Sequence, residues 1–214
     1  MTYPTRRLLT LLTLTVGLSS SLTACFPVMV GGAVMGGLVA TDRRTPGAQL
    51  EDEGIELRAA SRIRDNLGDR AHVNVTSYNR RVLLTGEVPS EQDRQLVEQV
   101  VSRVENAQSV VNELAVLGNS SLTQRSTDTL VTGRVKAGFV DAKDLFANSL
   151  KVVTERGTVY LMGRVTQREA DHATDITRST SGVQKVVRVF EIISEEELRK
   201  MLPQTAAQQS KTKL

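Results

Sequence analysis

Apart from its carboxylates, this 214-residue chain holds one thiol and two imidazoles that could be modified or could ligate: Cys25, His72 and His172. Cys25 is the only cysteine, and it closes the run Leu22-Thr23-Ala24-Cys25. That is the bacterial lipobox pattern, an apolar residue and two small ones before a thiol. Small side chains fit the processing peptidase, and the Cys25 sulfur takes a diacylglyceryl group. A secretory leader followed by a chance cysteine is the plainer reading, but a lone thiol in an exported chain has no disulfide partner. The preceding residues fit the first reading. Arg6 and Arg7 form a basic start, and "LLTLLTLTVGL" (8–18) is an apolar stretch of signal-peptide length, too short to cross a bilayer. Residues 1–24 are therefore read as a lipoprotein signal peptide. Phe26 follows the cysteine where Asp retains lipoproteins at the inner membrane of enteric bacteria, so the expected destination is the outer membrane, facing the periplasm.

The histidines offer little. His72 stands at the start of an alternating, strand-like run, and His172 lies among Asp171 and Asp175 on a helical pattern. Neighbouring helix residues diverge by about 100°, so Asp171 and His172 do not converge on one ion. The position four residues on, where a second ligand belongs, is Ile176. An exposed polar helix face accounts for the cluster. The sequence holds no nucleophile–base pair, phosphate loop or cysteine pair. It reads as a non-enzyme, with no metal and no cofactor implied.

Charge removes another class. Taking away Arg6 and Arg7 lowers the formal charge from +3 to +1, and leaving out Lys211 and Lys213 brings residues 25–202 to −1. A nucleic-acid binder needs a basic face with stacking aromatics. Here aromatics are 3% and Trp is absent, so nucleic acid is not an expected partner. After Cys25, "FPVMVGGAVMGGLVAT" (26–41) is apolar but short of the roughly 20 residues of a span. It reads either as a tether on the lipid surface or as a segment whose paired glycines allow close helix contacts. The polar stretch "TDRRTPGAQLEDEG" (41–54) is expected to carry the chain off the membrane. At the far end, Ser194 with Glu197 forms a capping box for a short helix to Met201, Pro203 stops it, and a disordered tail follows.

The body between these ends is written twice. "RVLLTGEVPSEQ" (81–92) returns as "TVYLMGRVTQRE" (158–169), with Gly86 and Gly163 in register and Val82, Leu84 and Val88 matched by Val159, Leu161 and Val165. Each copy opens on a four-residue apolar period, Ile55-Ala59-Ile63-Leu67 in the first, which is an amphipathic helix. An alternating hairpin follows, turning at 78–81 and at 155–158. Gly86 and Gly163 interrupt their strands, which suggests a bulge or a close backbone approach. Ser90 with Asp93, and Thr166 with Glu169, then cap a second helix. "SVVNELAV" and "KVVRVFEII" supply a third strand. The fold class is α+β: two tandem α-β-β-α-β modules, each a three-stranded sheet with two helices on one face. The expected organisation is tether and linker at 25–48, modules at 49–117 and 127–193, a linker at 118–126 and a helix with tail at 194–214. At sixty-odd residues, each module is near the lower limit for independent stability, so the two should pack together.

The copies differ most in their opening helices. With Ile63 set over Val135, the core positions agree: Ala59 with Val131, Leu67 with Phe139. Elsewhere Arg58 becomes Leu130, Asp65 becomes Ala137 and Gly68 becomes Val140, while Arg62 and Arg64 stay cationic as Arg134 and Lys136. Apolar groups beside two cations suit a helix lying at an anionic membrane surface. The same residues also fit a helix whose Leu130 and Val140 pack against the first module and whose cations form a solvated face.

Strand–Gly–Val, a capped helix and "GVQKVVRVF", repeated in this order, resemble the BON domain of bacterial periplasmic and osmotically induced proteins. The tandem pair behind a lipobox, joined through "TDRRTPGAQ", is similar to the dual BON-domain outer-membrane lipoprotein family, the division- and outer-membrane-stress-associated lipid-binding lipoproteins. The resemblance covers residues 22 to about 193. It implies an α-β-β-α-β fold, no catalysis, a membrane anchor at Cys25 and a role in envelope integrity. It also implies that the second module binds anionic phospholipid (phosphatidylglycerol, cardiolipin) through its opening helix, at Leu130, Gly133, Arg134, Lys136, Ala137 and Val140. Relatives often carry Trp where this chain has Leu130. The alternative role is a protein-interaction scaffold, with the same surface docking an outer-membrane assembly partner or a cell-wall partner.

Overall fold

The computed structural model describes residues 42–142 and 144–201. The leader, Cys25, the Gly-rich segment and the C-terminal tail read from the sequence lie outside the described residues. Every contact given below falls within the unit Gly37–Leu214.

Thr45-Pro46 opens the first helix. The Thr45 hydroxyl accepts the Ala48 N–H at 3.1 Å, and Pro46 takes the first-turn position where its missing N–H costs nothing. Helix α1 (Pro46–Leu67) buries Asp52, Ile55, Ala59, Ile63 and Leu67 and stops at Gly68, whose φ is 57°. The stretch expected to lead away from the membrane is thus folded from residue 42 onward. Arg44 bonds Asp42 and Asp52, and its guanidinium lies 4.3 Å from the Tyr78 ring centroid.

Strands β1 (His72–Tyr78) and β2 (Arg81–Val88) form an antiparallel hairpin. Asn79 and Arg80, at φ 50° and 65°, make the mirror-image turn that matches strand twist. Helix α2 (Glu91–Ser102), capped by Ser90, crosses back, and β3 (Ser109–Asn112) and β4 (Ala115–Val116) pair parallel to β2. The third strand expected over 109–116 is interrupted. Asn112 Oδ1 accepts the Leu114 N–H at 3.2 Å, an Asx-type turn, and Leu114 is buried in the core.

The second module repeats the order: α3 (Leu122–Asp141), β5 (Leu150–Glu155), β6 (Thr158–Val165), α4 (Gln167–Ser179) and β7 (Lys185–Ile192). β5 and β6 are antiparallel, and β7 runs parallel to β6 over its whole length. The short helix α5 (Glu195–Met201) starts from the expected Ser194–Glu197 capping box. Helix α3 begins inside the segment read as a linker, because Ser121 and Gln124 form a capping box of their own.

In each module the helices cover one sheet face. Ile55, Val82, Leu84, Val97 and Val101 close the first core, and Val135, Phe139, Val159, Leu161 and Ala173 the second. Gly86 and Gly163 mark close approach rather than bulges, since the β1–β2 ladder runs unbroken through Val73↔Gly86 and the β6–β7 ladder through Gly163↔Phe190. A Cβ on Gly86 would stand 2.0 Å from the His72 carbonyl oxygen, and one on Gly163 2.5 Å from that of Ser149.

The remaining sheet faces meet each other. Tyr78 and Leu83 of the first module pack with Tyr160, Met162 and Val189 of the second. Around this apolar centre Tyr78 Oη donates to the Ser149 carbonyl at 3.2 Å, Lys151 Nζ to Glu56 at 2.7 Å and Arg81 to the Phe190 carbonyl at 2.9 Å. The body is therefore a helix–sheet–sheet–helix sandwich, and the expected packing of the modules is through their sheets.

Candidate functional site

Helix α3 is held by four inward side chains at helical spacing, Asp128, Val131, Val135 and Phe139, all buried. Asp128 does more than fill space. Its two carboxylate oxygens accept the N–H groups of Arg156 and Gly157 at 2.8 Å each, fixing the helix to the β5–β6 turn. Asp52 does the same for Asn79 and Arg80 in the first module, at 2.8 and 2.7 Å. The rotation of α3 about its axis is thereby set.

All six residues expected to contact lipid lie on the opposite, exposed face. Leu130 is 61% and Val140 72% exposed, so neither packs against the first module. At about 100° per residue, Leu130, Gly133, Ala137 and Val140 share an arc of about 80°. Arg134 flanks that arc on one side and Lys136 on the other. Arg134 Nη1 also donates to the Ser181 carbonyl at 3.3 Å, which steadies its stem on the α4–β7 turn. Between Leu122 and Val140 the one acid is Asp128, which is buried. The last residue of the helix, Asp141, is exposed and in projection falls between Leu130 and Arg134, so the face carries one carboxylate, at its C-terminal end.

Leu122 belongs to the same stripe, two turns before Leu130, and is 80% exposed. It was missed because residues 118–126 read as a linker; the Ser121–Gln124 capping spacing was the signal available. Phe146, just beyond α3, is partly exposed, with the Arg43 guanidinium 5.7 Å from its ring centroid. No helix among the described residues is long and apolar enough to cross a membrane.

The histidines fall in separate places. His172 Nδ1 lies 2.9 Å from Asp144 Oδ2, not with the acids of its own helix. Asp171 instead takes Gln167 and Arg188. His72 Nδ1 lies 3.0 Å from Glu87 Oε2 at the seam between the modules. Burial works to raise the Glu87 carboxyl, but Arg156, the Ser120 N–H and His72 outweigh it and hold it below the usual range. Glu155, nearby, is pushed up by burial and by the Glu87 charge.

Against this geometry, the BON domain family matches the chain at residues 52–118 and again at 127–194. The chain belongs to the BON-domain family. Both matches coincide with an α-β-β-α-β unit, the first running from within α1 to beyond β4, the second from within α3 to beyond β7. Among BON-domain relatives, the outer membrane lipoprotein DolP of Haemophilus influenzae is 37% identical over 185 residues, covering 85% of this chain and 95% of that protein. The 21 kDa hemolysin of Actinobacillus pleuropneumoniae is 30% identical over 154 residues, covering 71% and 79%. Among solved structures, the type III secretion structural protein CdsD of Chlamydia trachomatis is matched over 73% of this chain and 98% of that chain, at 12% identity and a TM-score of 0.28. On the DolP match this BON-domain chain is an outer-membrane lipoprotein.

Proposed function

We propose that the second BON domain binds anionic phospholipid with the exposed face of α3. In this reading, acyl chains on Cys25 hold the protein to the outer membrane from the periplasmic side, and the protein supports envelope integrity without catalysing a reaction. One observation carries it: an exposed stripe of Leu130, Gly133, Ala137 and Val140, bordered by Arg134 and Lys136, with Asp141 at the end of the helix as its one exposed acid. Apolar side chains enter the headgroup boundary and the cations meet lipid phosphate. Gly133 and Ala137 keep the middle of the stripe low, so the helix backbone can approach the surface. Each buried methylene of an acyl chain contributes about 0.8 kcal/mol, and stable anchoring takes more than one signal. The Cys25 chains would supply retention, and α3 would select which lipids the protein visits.

The test is cosedimentation of residues 37–214 with vesicles. This part contains every described contact and omits Cys25. Binding to phosphatidylglycerol or cardiolipin vesicles but not to neutral ones, lost in Leu130→Glu with the fold intact, is the expected result. Equal binding of the mutant, or none to any vesicle, removes the proposal.

A protein-docking role is the second reading, favoured by a different surface. Leu50 and Leu57 on α1 are 69% and 73% exposed, two turns apart on the first module. An outer-membrane or cell-wall partner seated there would bind independently of headgroup charge and would be insensitive to Leu130→Glu.

A further inference from the structure

An imidazole and two buried carboxylates converge where the modules meet. His72 opens β1, Glu87 stands opposite it on β2, and Glu155 ends β5 of the other module. One ligand atom from each lies within 4.8 Å of the other two. Glu87 is fully buried and Glu155 is 8% exposed.

The surroundings orient these groups. Arg156 Nε donates to Glu87 Oε1 at 2.6 Å, and the Ser120 N–H donates to Oε2 at 3.1 Å, which also faces His72 Nδ1. Asn74 Nδ2 donates to Glu155 Oε2 at 2.9 Å and is the sole hydrogen-bond donor to that carboxylate among the described residues. Such outer bonds aim ligand oxygens as the second shell of a metal site does. Asp128, also close, is spent on the Arg156 and Gly157 N–H groups. Lys151, the cation on β5, is engaged by Glu56. Arg156 is thus the one guanidinium bonded to the pair, and it faces Glu87 alone. Arg125, on the wall of the adjoining pocket, donates through Nε to Ser120 Oγ at 3.1 Å and makes no hydrogen bond to either carboxylate among the described residues.

A pocket of about 230 Å³, lined by His72, Asn74, Arg125, Thr132 and Glu155 among others, opens onto the cluster. It supplies an entry path and room for water. On the same sheet face, two residues along β2 from Glu87 and opposite Asn74, the Thr85 hydroxyl is buried and has no hydrogen-bond partner among the described residues.

We propose that His72, Glu87 and Glu155 form a binding site for one divalent transition-metal cation of the zinc type, held across the two modules. One imidazole nitrogen with two carboxylate oxygens is a donor set that suits zinc and leaves a fourth position for water. With bonds of 2.0–2.2 Å, ligand atoms in such a site stand about 3.4 Å apart, so the present cluster closes by side-chain shifts of about 1–1.5 Å. The cation replaces the direct His72–Glu87 contact and ties β1 and β2 to β5. Its role is to strengthen the seam between the modules.

The chain from Gly37 onward lacks Cys25, leaving His72 and His172 as the only non-carboxylate zinc ligands. Chelator-washed protein titrated with zinc chloride, by calorimetry and by imidazole NMR, tests the site. One zinc per chain is expected, shifting the His72 resonances and not those of His172, and raising the melting temperature by mass action. His72→Ala and Glu155→Gln should each lower affinity at least about tenfold, and His172→Ala should leave it unchanged. Glu155→Gln keeps an acceptor for Asn74, so it separates lost ligation from lost folding, with circular dichroism as the check. Absence of stoichiometric binding, binding that shifts His172, or binding unaltered by Glu155→Gln would each overturn the proposal.

Discussion

Arg43 grips both carboxylate oxygens of Glu169, Nη1 to Oε2 at 2.8 Å and Nη2 to Oε1 at 2.6 Å, across 126 residues of sequence. Both side chains are buried, 4% and 2% exposed. Glu169 also accepts the Thr166 N–H in the capping box of α4, and Arg43 also donates to the Arg164 carbonyl. The chain that comes from Cys25 is thus fastened to the second module before it enters the first. Sixteen residues lie between Cys25 and Asp42, so the two Cα atoms stand at most about 60 Å apart. The point of departure toward the anchor lies beside the module whose α3 is proposed to touch lipid.

Arg43→Ala should destabilise the protein by about 3–5 kcal/mol, because it leaves a buried carboxylate unpaired. Arg43→Met combined with Glu169→Gln should recover a large share of that loss, since neither charge then remains. Urea melts of the two variants measure the difference. Equal stabilities would show that the pair, despite its geometry, is not what holds Asp42 and Arg43 in place.

Asp52 makes stability fall in acid. Burial alone would raise its carboxyl, but donation from the Ser77 hydroxyl, the Arg80 N–H, Arg44 and the Asn79 N–H outweighs it and holds it below the ordinary range. A carboxyl depressed in the folded state contributes stability that is fully present above its unfolded value, about 3.9. That contribution disappears as pH falls through the lower, folded value. Asp52→Asn should therefore be less stable than the native chain at neutral pH and should show a flatter loss of stability below about pH 4. Denaturant midpoints taken between neutrality and about pH 3 read both effects.

Gly86→Ala should cost well over about 1 kcal/mol, since its φ of 111° is unsuited to a side chain and a Cβ would stand 2.0 Å from the His72 carbonyl oxygen. Gly163→Ala meets the Ser149 carbonyl oxygen at 2.5 Å and should cost less. Thermal denaturation of the two single variants gives the order, and the reverse order would mean that the β1–β2 ladder yields more easily than the β5–β6 ladder.

The two sheets should unfold as one. Met162→Ala removes a fully buried side chain from the cluster between the sheets and should cost about 2–5 kcal/mol. Met162→Asp places a charge there and should split calorimetric unfolding into two transitions, one per module.

The repeat, the caps and the helix-facing cores were legible because each rests on local periodicity: Val82, Leu84 and Val88 alternate, and Ser90, Thr166 and Ser194 stand where caps belong. The second sheet face was not. Leu83, Tyr160 and Met162 extend the apolar runs 82–84 and 159–162, as strands covered on both faces do, but the runs do not say that what covers the second face is the other module. Arg43 and Arg44 read as linker charges because their partners, Glu169 and Asp52, become neighbours only after folding. The exposed face of α3 stood out by comparison of two copies of one scaffold, which isolates Leu130, Ala137 and Val140 from the shared core. Leu122 escaped because its counterpart position in the first module precedes the compared stretch.

Salt and charge give the sharpest test of the α3 surface. Each cation near an anionic membrane contributes about 1 kcal/mol, so Arg134→Gln with Lys136→Gln should weaken binding to phosphatidylglycerol vesicles on the order of 30-fold. The same binding should fall as ionic strength rises and the Debye length drops below about 10 Å. Leu122→Glu lies two turns from Leu130, outside both cores, and should weaken binding without changing the melting temperature. Vesicle titrations of these variants at two salt concentrations separate the contributions. If the apolar variant loses binding while the double charge variant keeps both affinity and salt response, the helix enters the headgroup region through its apolar stripe alone, and Arg134 and Lys136 are not lipid contacts.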